Sequence, residues 1–203
     1  MLTKTIAALF VQHNGIYYGV QNVEPYGLPL RDAKSYCNDH PVIAHPPCQR
    51  WGRFATGSFK HKGRYKLGDD GGCFSSAIAS VRRCGGVLEH PAGSRAWAAN
   101  GLKAPPVSGG WVPAGDGLGY TCCVYQGHYG HPAAKPTWLY AVGCDLPELQ
   151  WGKPAMQSAG ISPSAIVRAK REGAMTVLSK KKREATPIQF RDALIQIART
   201  AKK

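Results

Sequence analysis

The sequence predicts an α/β protein in which helices flank a mostly parallel sheet. Over residues 4–91, short apolar segments rich in β-branched residues alternate with a segment of helical spacing. Two of the apolar segments end in proline, at His45-Pro46-Pro47 and at His90-Pro91, and proline stops a central strand. Functional sites of open α/β sheets lie at the carboxyl ends of the strands, so these two ends are the first candidates for chemistry.

The elements of the first half alternate in type. A longer helix is predicted between Asp69-Asp70 and Gly85-Gly86, because Phe74, Ile78 and Val81 recur on one helical face. The two acids suit its N-terminus and the two glycines suit its end. Extended segments are predicted at residues 4–11, 16–27, 41–47 and 86–91, and one helical turn at 32–37.

The second half is predicted to contain more loop. Residues 105–119 are rich in Gly and Pro, whereas 121–130 and 136–143 suggest two strands joined by a His/Gly turn. Thr186-Pro187-Ile188-Gln189 combines a capping box with Pro at the first helical position, which predicts a closing helix over 186–203. We therefore expect one domain over residues 1–203, with a loop-rich, basic insert at 105–185.

The formal net charge of +14 is concentrated near the end of the chain. From Lys153 onwards there are twelve Lys or Arg residues against three acids. Such a surface attracts polyanions by counterion release, and nucleic acid is the usual partner. A solvated basic tail is the alternative interpretation.

Cysteine usage and hydropathy indicate a cytoplasmic protein. Seven cysteines without framework spacing are typical of reduced thiols. No apolar run approaches the roughly 20 residues that span a bilayer, and the N-terminus lacks signal-peptide features, so no membrane partner is expected. Adjacent strand residues face opposite sides, so Cys122 and Cys123 cannot easily share a zinc ion with His128 and His131, and no metal is expected.

Five motifs occur in a fixed order along the chain. They are Pro46-Pro47-Cys48-Gln49, residues 68–72 before a helix, residues 87–91, Gln126-Gly127-His128, and residues 185–188. The set resembles the cytosine-5 DNA methyltransferase family, in a shortened form of the kind found in phages and prophages. The family's counterparts are a Pro-Cys nucleophile loop, the segment after it, a strand ending in Glu-Asn-Val, Gln-x-Arg-x-Arg, and Asn-Ala-Val-Pro. The likeness is dense only between residues 42 and 91.

The resemblance implies a reduced Rossmann-like, methyltransferase-type sheet and modification of cytosine in DNA. Cys48 would be the nucleophile, whose thiolate adds to carbon 6 of a flipped cytosine and thereby activates carbon 5. Glu89 would be the acid at ring nitrogen 3. His128 stands where the family has an Arg that braces the active site.

The residues around Cys48 suggest how its thiol would be activated. A nucleophilic thiol needs a lowered pKa, which nearby cations provide. His45, Arg50 and Arg53 are close to Cys48 in the sequence. We therefore expect the pKa of Cys48 to lie below its ordinary value.

S-adenosylmethionine is the methyl donor that the resemblance implies. The family's Phe-x-Gly-x-Gly-Gly loop is missing, although Phe10 could stand at its start. Glu24 and Asp32 would hold the ribose and adenine. The spacing of these two acids is compressed, as though a helix were deleted. Pro46 completes the candidate cofactor-binding residues.

DNA is the partner that both the charge and the resemblance imply, in the cytoplasm of a bacterial host and associated with the nucleoid. The segment from about 130 to 185 is short for a target-recognition domain, so sequence specificity is expected to be relaxed or supplied in another way. The candidate DNA contacts are Gln49, Arg50, Arg53, Lys135, Lys180, Lys181, Lys182 and Arg183.

Two other functions stay open. The missing glycine loop is compatible with a pyrimidine modifier that uses another donor. It is equally compatible with a non-catalytic DNA-binding scaffold protein that acts as a regulator or an anti-restriction factor. In that case Cys48 would be an inert thiol and Glu89 a capping residue.

Overall fold

A computed structural model describes residues 4–52, 55–57, 63–155 and 179–202. Its centre is a seven-stranded sheet with the order β2-β1-β3-β4-β7-β6-β5. The strands are β1 (Ile6–Leu9), β2 (Val23–Tyr26), β3 (Val42–Ala44), β4 (Gly86–Pro91), β5 (Val112–Pro113), β6 (Tyr120–Tyr125) and β7 (Pro136–Val142). All four extended segments predicted for the first half are therefore confirmed, as is the pair that forms β6 and β7.

Four α-helices accompany the sheet within the described ranges. They are α1 (Cys73–Cys84), α2 (Ala96–Ala99), α3 (Lys180–Glu184) and α4 (Ile188–Arg199), and short 3-10 helices lie at Ala33–Ser35 and Gln126–Tyr129. Helix α1 confirms the predicted helix, and Ala33–Ser35 confirms the predicted turn. The Gly/Pro-rich segment 105–119 is mostly loop but also contains the short strand β5.

The sheet is mixed rather than mostly parallel. β2, β1, β3 and β4 pair in parallel, whereas β4–β7, β7–β6 and β6–β5 are antiparallel. The connection from β6 to β7 spans ten residues, which is too short for a parallel crossover, so the two strands are antiparallel neighbours. β7 then lies between β4 and β6, which makes β6 run in the same direction as β4.

Helices cover both faces of the sheet, as the α/β class requires. Helix α1 packs on one face, where Phe74, Ile78 and Val81 meet Leu88 and Tyr140. Helix α4 packs on the opposite face through apolar residues that include Phe190, Leu194 and Ile197. Because both faces are buried, the central strands are almost continuously apolar.

The two helix N-termini differ in how they are capped. At α1, the Asp70 carboxylate accepts a hydrogen bond from the Phe74 backbone N–H at 2.9 Å, which confirms that an acid suits this end. At α4, the capping-box prediction is wrong. Pro187 is the cap residue and makes no side-chain cap hydrogen bond, and the helix begins at Ile188. Thr186 therefore lies one position too early for its hydroxyl to cap the first turn.

Five strands, β1 to β4 and β6, run in the same direction and bring their carboxyl ends to one edge of the sheet. Leu9 of β1 pairs with Ala44 of β3, and Ala44 pairs with Leu88 of β4. The next residues along these strands are Phe10, His45 and Glu89, and Gln126 follows β6 at the same edge. This edge is where ligands bind in open α/β sheets.

His90 is a histidine buried on the α1 face of the sheet. It is 1% exposed, and its ring centroid lies 5.1 Å from that of Phe74 and 6.2 Å from that of Trp97. Burial lowers the pKa of His90 to about 4, against the opposing effect of Glu89. Neither ring nitrogen of His90 makes a hydrogen bond of standard geometry. The Pro47 backbone nearby favours the protonated ring, but burial outweighs it. The ring is therefore neutral at pH 7.

Replacing His90 with Leu should reduce the pH dependence of stability. The unfolded chain binds a proton at His90 near pH 6.5 but the folded protein only near pH 4, so the free energy of unfolding falls as the pH drops through this window. Between pH 7 and pH 5, the wild-type protein should lose about 2 kcal/mol more than His90→Leu in urea unfolding. Ile197→Val is the control, and it should cost about 1 kcal/mol at both pH values. Equal pH slopes for the wild type and His90→Leu would contradict a neutral buried His90.

Candidate active site

The Glu89 carboxylate is the centre of a hydrogen-bonded cluster at the carboxyl edge. Oε2 lies 3.0 Å from Nδ1 of His45, and Oε1 accepts a hydrogen bond of 3.1 Å from Nε2 of Gln126. The Gln126 amide also donates to the Thr137 hydroxyl at 3.0 Å. Because the Glu89 and His45 side chains are only 12% and 13% exposed, the carboxylate is held by protein groups on both oxygens.

The charges near Glu89 favour its ionised form. Burial alone would raise the pKa of Glu89. The hydrogen bond from His45, together with the charge of Lys135, outweighs burial and holds the pKa of Glu89 below its usual range. Glu89 is therefore a carboxylate at neutral pH, and it can accept a proton.

The cluster continues from His45 to Tyr17, which lies in the connection between β1 and β2. The Tyr17 hydroxyl lies 2.8 Å from Nε2 of His45, and Tyr17 is 3% exposed. Burial, with the neighbouring Glu89 charge, raises the pKa of Tyr17 far above its ordinary value. Tyr17 therefore keeps its proton at neutral pH.

Cys48 lies in the loop that follows β3, immediately after the buried Pro46 and the exposed Pro47. Its side chain is half-buried. The loop that carries it is fixed at Trp51. The Trp51 backbone N–H donates to the Cys48 carbonyl at 3.0 Å, and the Trp51 indole N–H donates to the Asp70 carboxylate at 2.7 Å. Because Asp70 also accepts the Phe74 backbone N–H in the first turn of α1, the Cys48 loop and the helix are held by one carboxylate.

The expected lowering of the Cys48 pKa is wrong. Burial raises it, the carboxylates of Glu89 and Glu184 raise it further, and Lys135 opposes them only in part. Of the expected cations, His45 contacts Glu89, and the Arg50 guanidinium lies 3.5 Å from the centre of the Tyr65 ring. Cys48 is therefore a thiol at rest, and its proton has to be removed before the sulfur can attack.

Lys135 links this site to the basic segment near the C-terminus. Its ammonium donates to the carbonyls of Ala185, at 2.7 Å, and Glu184, at 3.2 Å. Burial lowers the pKa of Lys135, and Glu89 and Cys48 oppose that effect. Helix α3, which carries the predicted DNA contacts Lys180, Lys181, Lys182 and Arg183, therefore ends beside the candidate active site.

The remaining predicted DNA contacts lie on the Cys48 loop. Gln49 is exposed, and Arg50 stacks on Tyr65. Arg53 lies outside the described residues. Lys182 and Arg183 are exposed.

The four predicted cofactor-binding residues each make local contacts with their surroundings. Glu24 accepts a hydrogen bond from the Tyr26 hydroxyl at 3.3 Å and lies 3.7 Å from Arg31. Asp32 caps the 3-10 helix that follows it by accepting from the Lys34 backbone N–H at 2.9 Å. Phe10, with a φ of 59°, packs against the core, and Pro46 is buried. Residues 10–22, between β1 and β2, contain no helix, in agreement with the compressed spacing.

His128 contacts a part of the chain away from Glu89. Its Nε2 lies 3.0 Å from the Gly152 carbonyl oxygen, whereas Gln126, two residues earlier in the same motif, is the residue that braces Glu89. The catalytic role of His128 stays a prediction. Gln126 could have been identified from its position after β6, but no sequence signal indicates that Tyr17 contacts His45.

The described residues provide few signs of other kinds of site. They contain no group of three or more His, Cys, Asp or Glu side chains placed to hold a metal ion. All seven cysteines are free thiols. Within the same ranges, no helix has the length and apolar character needed to cross a bilayer. Comparisons with known protein families, with curated proteins and with solved structures yield no match.

The charges around Cys48 should govern its reactivity with iodoacetamide. Glu89→Gln removes a charge that opposes the thiolate and should speed alkylation at pH 8 about threefold. Lys135→Met removes a favourable charge of smaller effect and should slow alkylation by a smaller factor. The rates are measured by peptide mass spectrometry relative to the exposed Cys37.

The control for this experiment is Glu24→Gln, because Glu24 is paired with Arg31 and does not act on Cys48. It should leave the Cys48 rate unchanged. If Glu89→Gln also leaves the rate unchanged, the two groups do not share an electrostatic environment.

Proposed function

We propose that this protein is a methyltransferase-like enzyme that modifies carbon 5 of cytosine in DNA. One observation carries the proposal: the Cys48 thiol follows β3, the Glu89 carboxylate lies near the carboxyl end of the adjacent parallel strand β4, and the Glu89 charge acts on the thiol. A cytosine ring needs a nucleophile at carbon 6 and a proton at nitrogen 3 to become reactive at carbon 5. Cys48 and Glu89 are suited to these two tasks.

The protonation states at rest suggest how the first step proceeds. Glu89 accepts the proton from Cys48 and delivers it to nitrogen 3 while the sulfur forms a bond to carbon 6. The electron pair of the carbon 5–carbon 6 double bond shifts to the carbon 4–carbon 5 bond, and the pair of the carbon 4–nitrogen 3 double bond moves to nitrogen 3. The resulting enamine is nucleophilic at carbon 5. The proton is transferred within the site, and the flipped base has to meet both residues at once.

The topology supports a reduced Rossmann-like arrangement. β1 lies between β2 and β3, because the chain places β2 on one side of β1 and then returns to place β3 on the other. This change of direction defines the switch point, where doubly wound sheets bind ligands. The candidate active site lies at the carboxyl ends of β3 and β4, next to this point. The antiparallel β7, β6 and β5 extend the sheet on the other side.

S-adenosylmethionine is the donor that the resemblance predicts, but the carboxylates expected to hold it do not fit that role. Glu24 is engaged by Tyr26 and Arg31, and Asp32 caps a 3-10 helix. No step of the proposed mechanism therefore passes through this donor. The occupied carboxylates favour the variant of the proposal in which another donor is used.

DNA is the proposed partner because cations surround the site. Lys182 and Arg183 are exposed on the helix that Lys135 ties to the site, and Arg50 is on the Cys48 loop. These cations would contact phosphates on either side of a flipped base.

A non-catalytic DNA-binding protein is the second candidate. The raised pKa of Cys48 is the observation that favours it, because a buried thiol that resists ionisation is typical of a structural cysteine. Such a protein would act as a regulator or as an anti-restriction factor.

Nucleoside mass spectrometry of DNA from expressing cells tests the catalytic proposal. Wild-type protein should yield a cytosine of increased mass, and Cys48→Ser should abolish it because a hydroxyl is a far poorer nucleophile. An increase of one methyl group indicates a methyl donor, whereas any other mass indicates a different donor. Cys73→Ser is the matched control and should retain modification. Unmodified DNA with the wild-type protein would leave the non-catalytic candidate.

The salt dependence of DNA binding tests the basic surface. If Lys182 and Arg183 each neutralise one phosphate, changing both to Ala should reduce the slope of log K against log salt by about two. Lys202→Ala removes a cation that is already paired with Asp145 at 2.7 Å and should change the slope much less. Equal slopes for the wild type and the double variant would place the DNA contacts elsewhere.

A further inference from the structure

We propose that His45 is a positioning residue that holds Glu89 ionised and correctly oriented, and that Tyr17 fixes the His45 tautomer that does so. This inference rests on the proposed function, which gives Glu89 its task. It adds two residues, neither of which touches the reacting base, and assigns each a role.

The geometry places His45 between the other two side chains. His45 directly follows β3, and the Ala44–Leu88 pairing puts it level with Glu89 on the adjacent strand. Its two ring nitrogens lie 3.0 Å from a Glu89 oxygen and 2.8 Å from the Tyr17 hydroxyl. Both nitrogens are therefore used, and the ring cannot rotate without breaking a contact at each end.

The hydrogen-bond donors determine the tautomer. Tyr17 keeps its proton and can donate it to Nε2, so Nε2 is an acceptor and the ring proton resides on Nδ1. Nδ1–H then donates to the Glu89 carboxylate. Removing the Tyr17 hydroxyl would allow the other tautomer, in which Nδ1 has a lone pair that faces Glu89 and repels its charge.

The charged and titratable groups around Glu89 come from several elements. They are His45 after β3, Cys48 on its loop, His90 within β4, Lys135 before β7, and Tyr17 in the β1–β2 connection. Among the interactions that favour the Glu89 carboxylate, the hydrogen bond from His45 is the largest. Loss of His45 should therefore affect Glu89 more strongly than loss of Lys135.

The pairing has a consequence for the reaction. The Glu89 carboxylate has to be unprotonated to take the Cys48 proton and then has to release that proton to nitrogen 3. A carboxylate whose orientation and charge are fixed in advance needs no rearrangement before the transfer. A misplaced or protonated Glu89 would leave the Cys48 thiol intact.

The titration of Glu89 tests the inference directly. In protein labelled with ¹³C at the Glu side chains, the Glu89 signal is identified by its loss in Glu89→Gln. His45→Leu should raise the titration midpoint of Glu89 by about one unit, and Tyr17→Phe should raise it by less. His45→Asn keeps a donor near the Nδ1 position and should restore part of the shift.

The same variants are then assayed for DNA modification. His45→Leu should lower the rate roughly tenfold and move the acidic limb of the pH–rate profile upward in parallel with the Glu89 midpoint. The matched control is Tyr18→Phe, since Tyr18 faces a different histidine, His13, at 3.4 Å. It should change neither the midpoint nor the profile.

The two measurements separate failure of the inference from failure of the proposed function. An unchanged Glu89 midpoint in both His45→Leu and Tyr17→Phe overturns the inference, whatever the DNA assay shows. If the wild-type protein modifies no DNA, the proposed function fails, and the titration alone decides whether Tyr17 and His45 set the charge of Glu89.

Discussion

A carboxylate buried at the carboxyl end of β4 is the constraint on which the rest of the site depends. Removing an ionised Glu89 from water is unfavourable unless both oxygens gain partners and positive charge lies nearby. The partners come from separate parts of the chain, namely His45 after β3, Gln126 after β6, and Lys135 before β7. The need to satisfy one side chain therefore fixes the relative positions of three strand ends.

The same carboxylate controls the thiol. A negative Glu89 opposes the ionisation of Cys48, and burial acts in the same direction. The resting site consequently keeps the proton on sulfur. In the proposed reaction, that proton would pass through Glu89 to nitrogen 3 of the flipped cytosine, so a thiol that is inert at rest is compatible with the proposal.

Local sequence patterns predict the elements but not the contacts between them. The apolar segments predict β1 to β4, and the spacing of Phe74, Ile78 and Val81 predicts α1. The mixed sheet could not be predicted, because the insertion of β7 beside β4 depends on long-range pairing. The pKa of Cys48 was wrongly predicted for a related reason: Arg50 is near in sequence but stacks on Tyr65, whereas the charge of Glu89, distant in sequence, raises the pKa of the thiol.

The position of β7 also affects the order in which the molecule can assemble on the ribosome. β1 to β4 are complete once residue 91 has been made, and their parallel pairings need no later segment. β4 gains its second neighbour, and Glu89 its Gln126 partner, only after residues 120–142 have emerged and β7 has entered the sheet. A nascent chain that pauses before that point lacks the second neighbour of β4 and the Gln126 contact of Glu89, and the sheet face that α4 covers is still exposed.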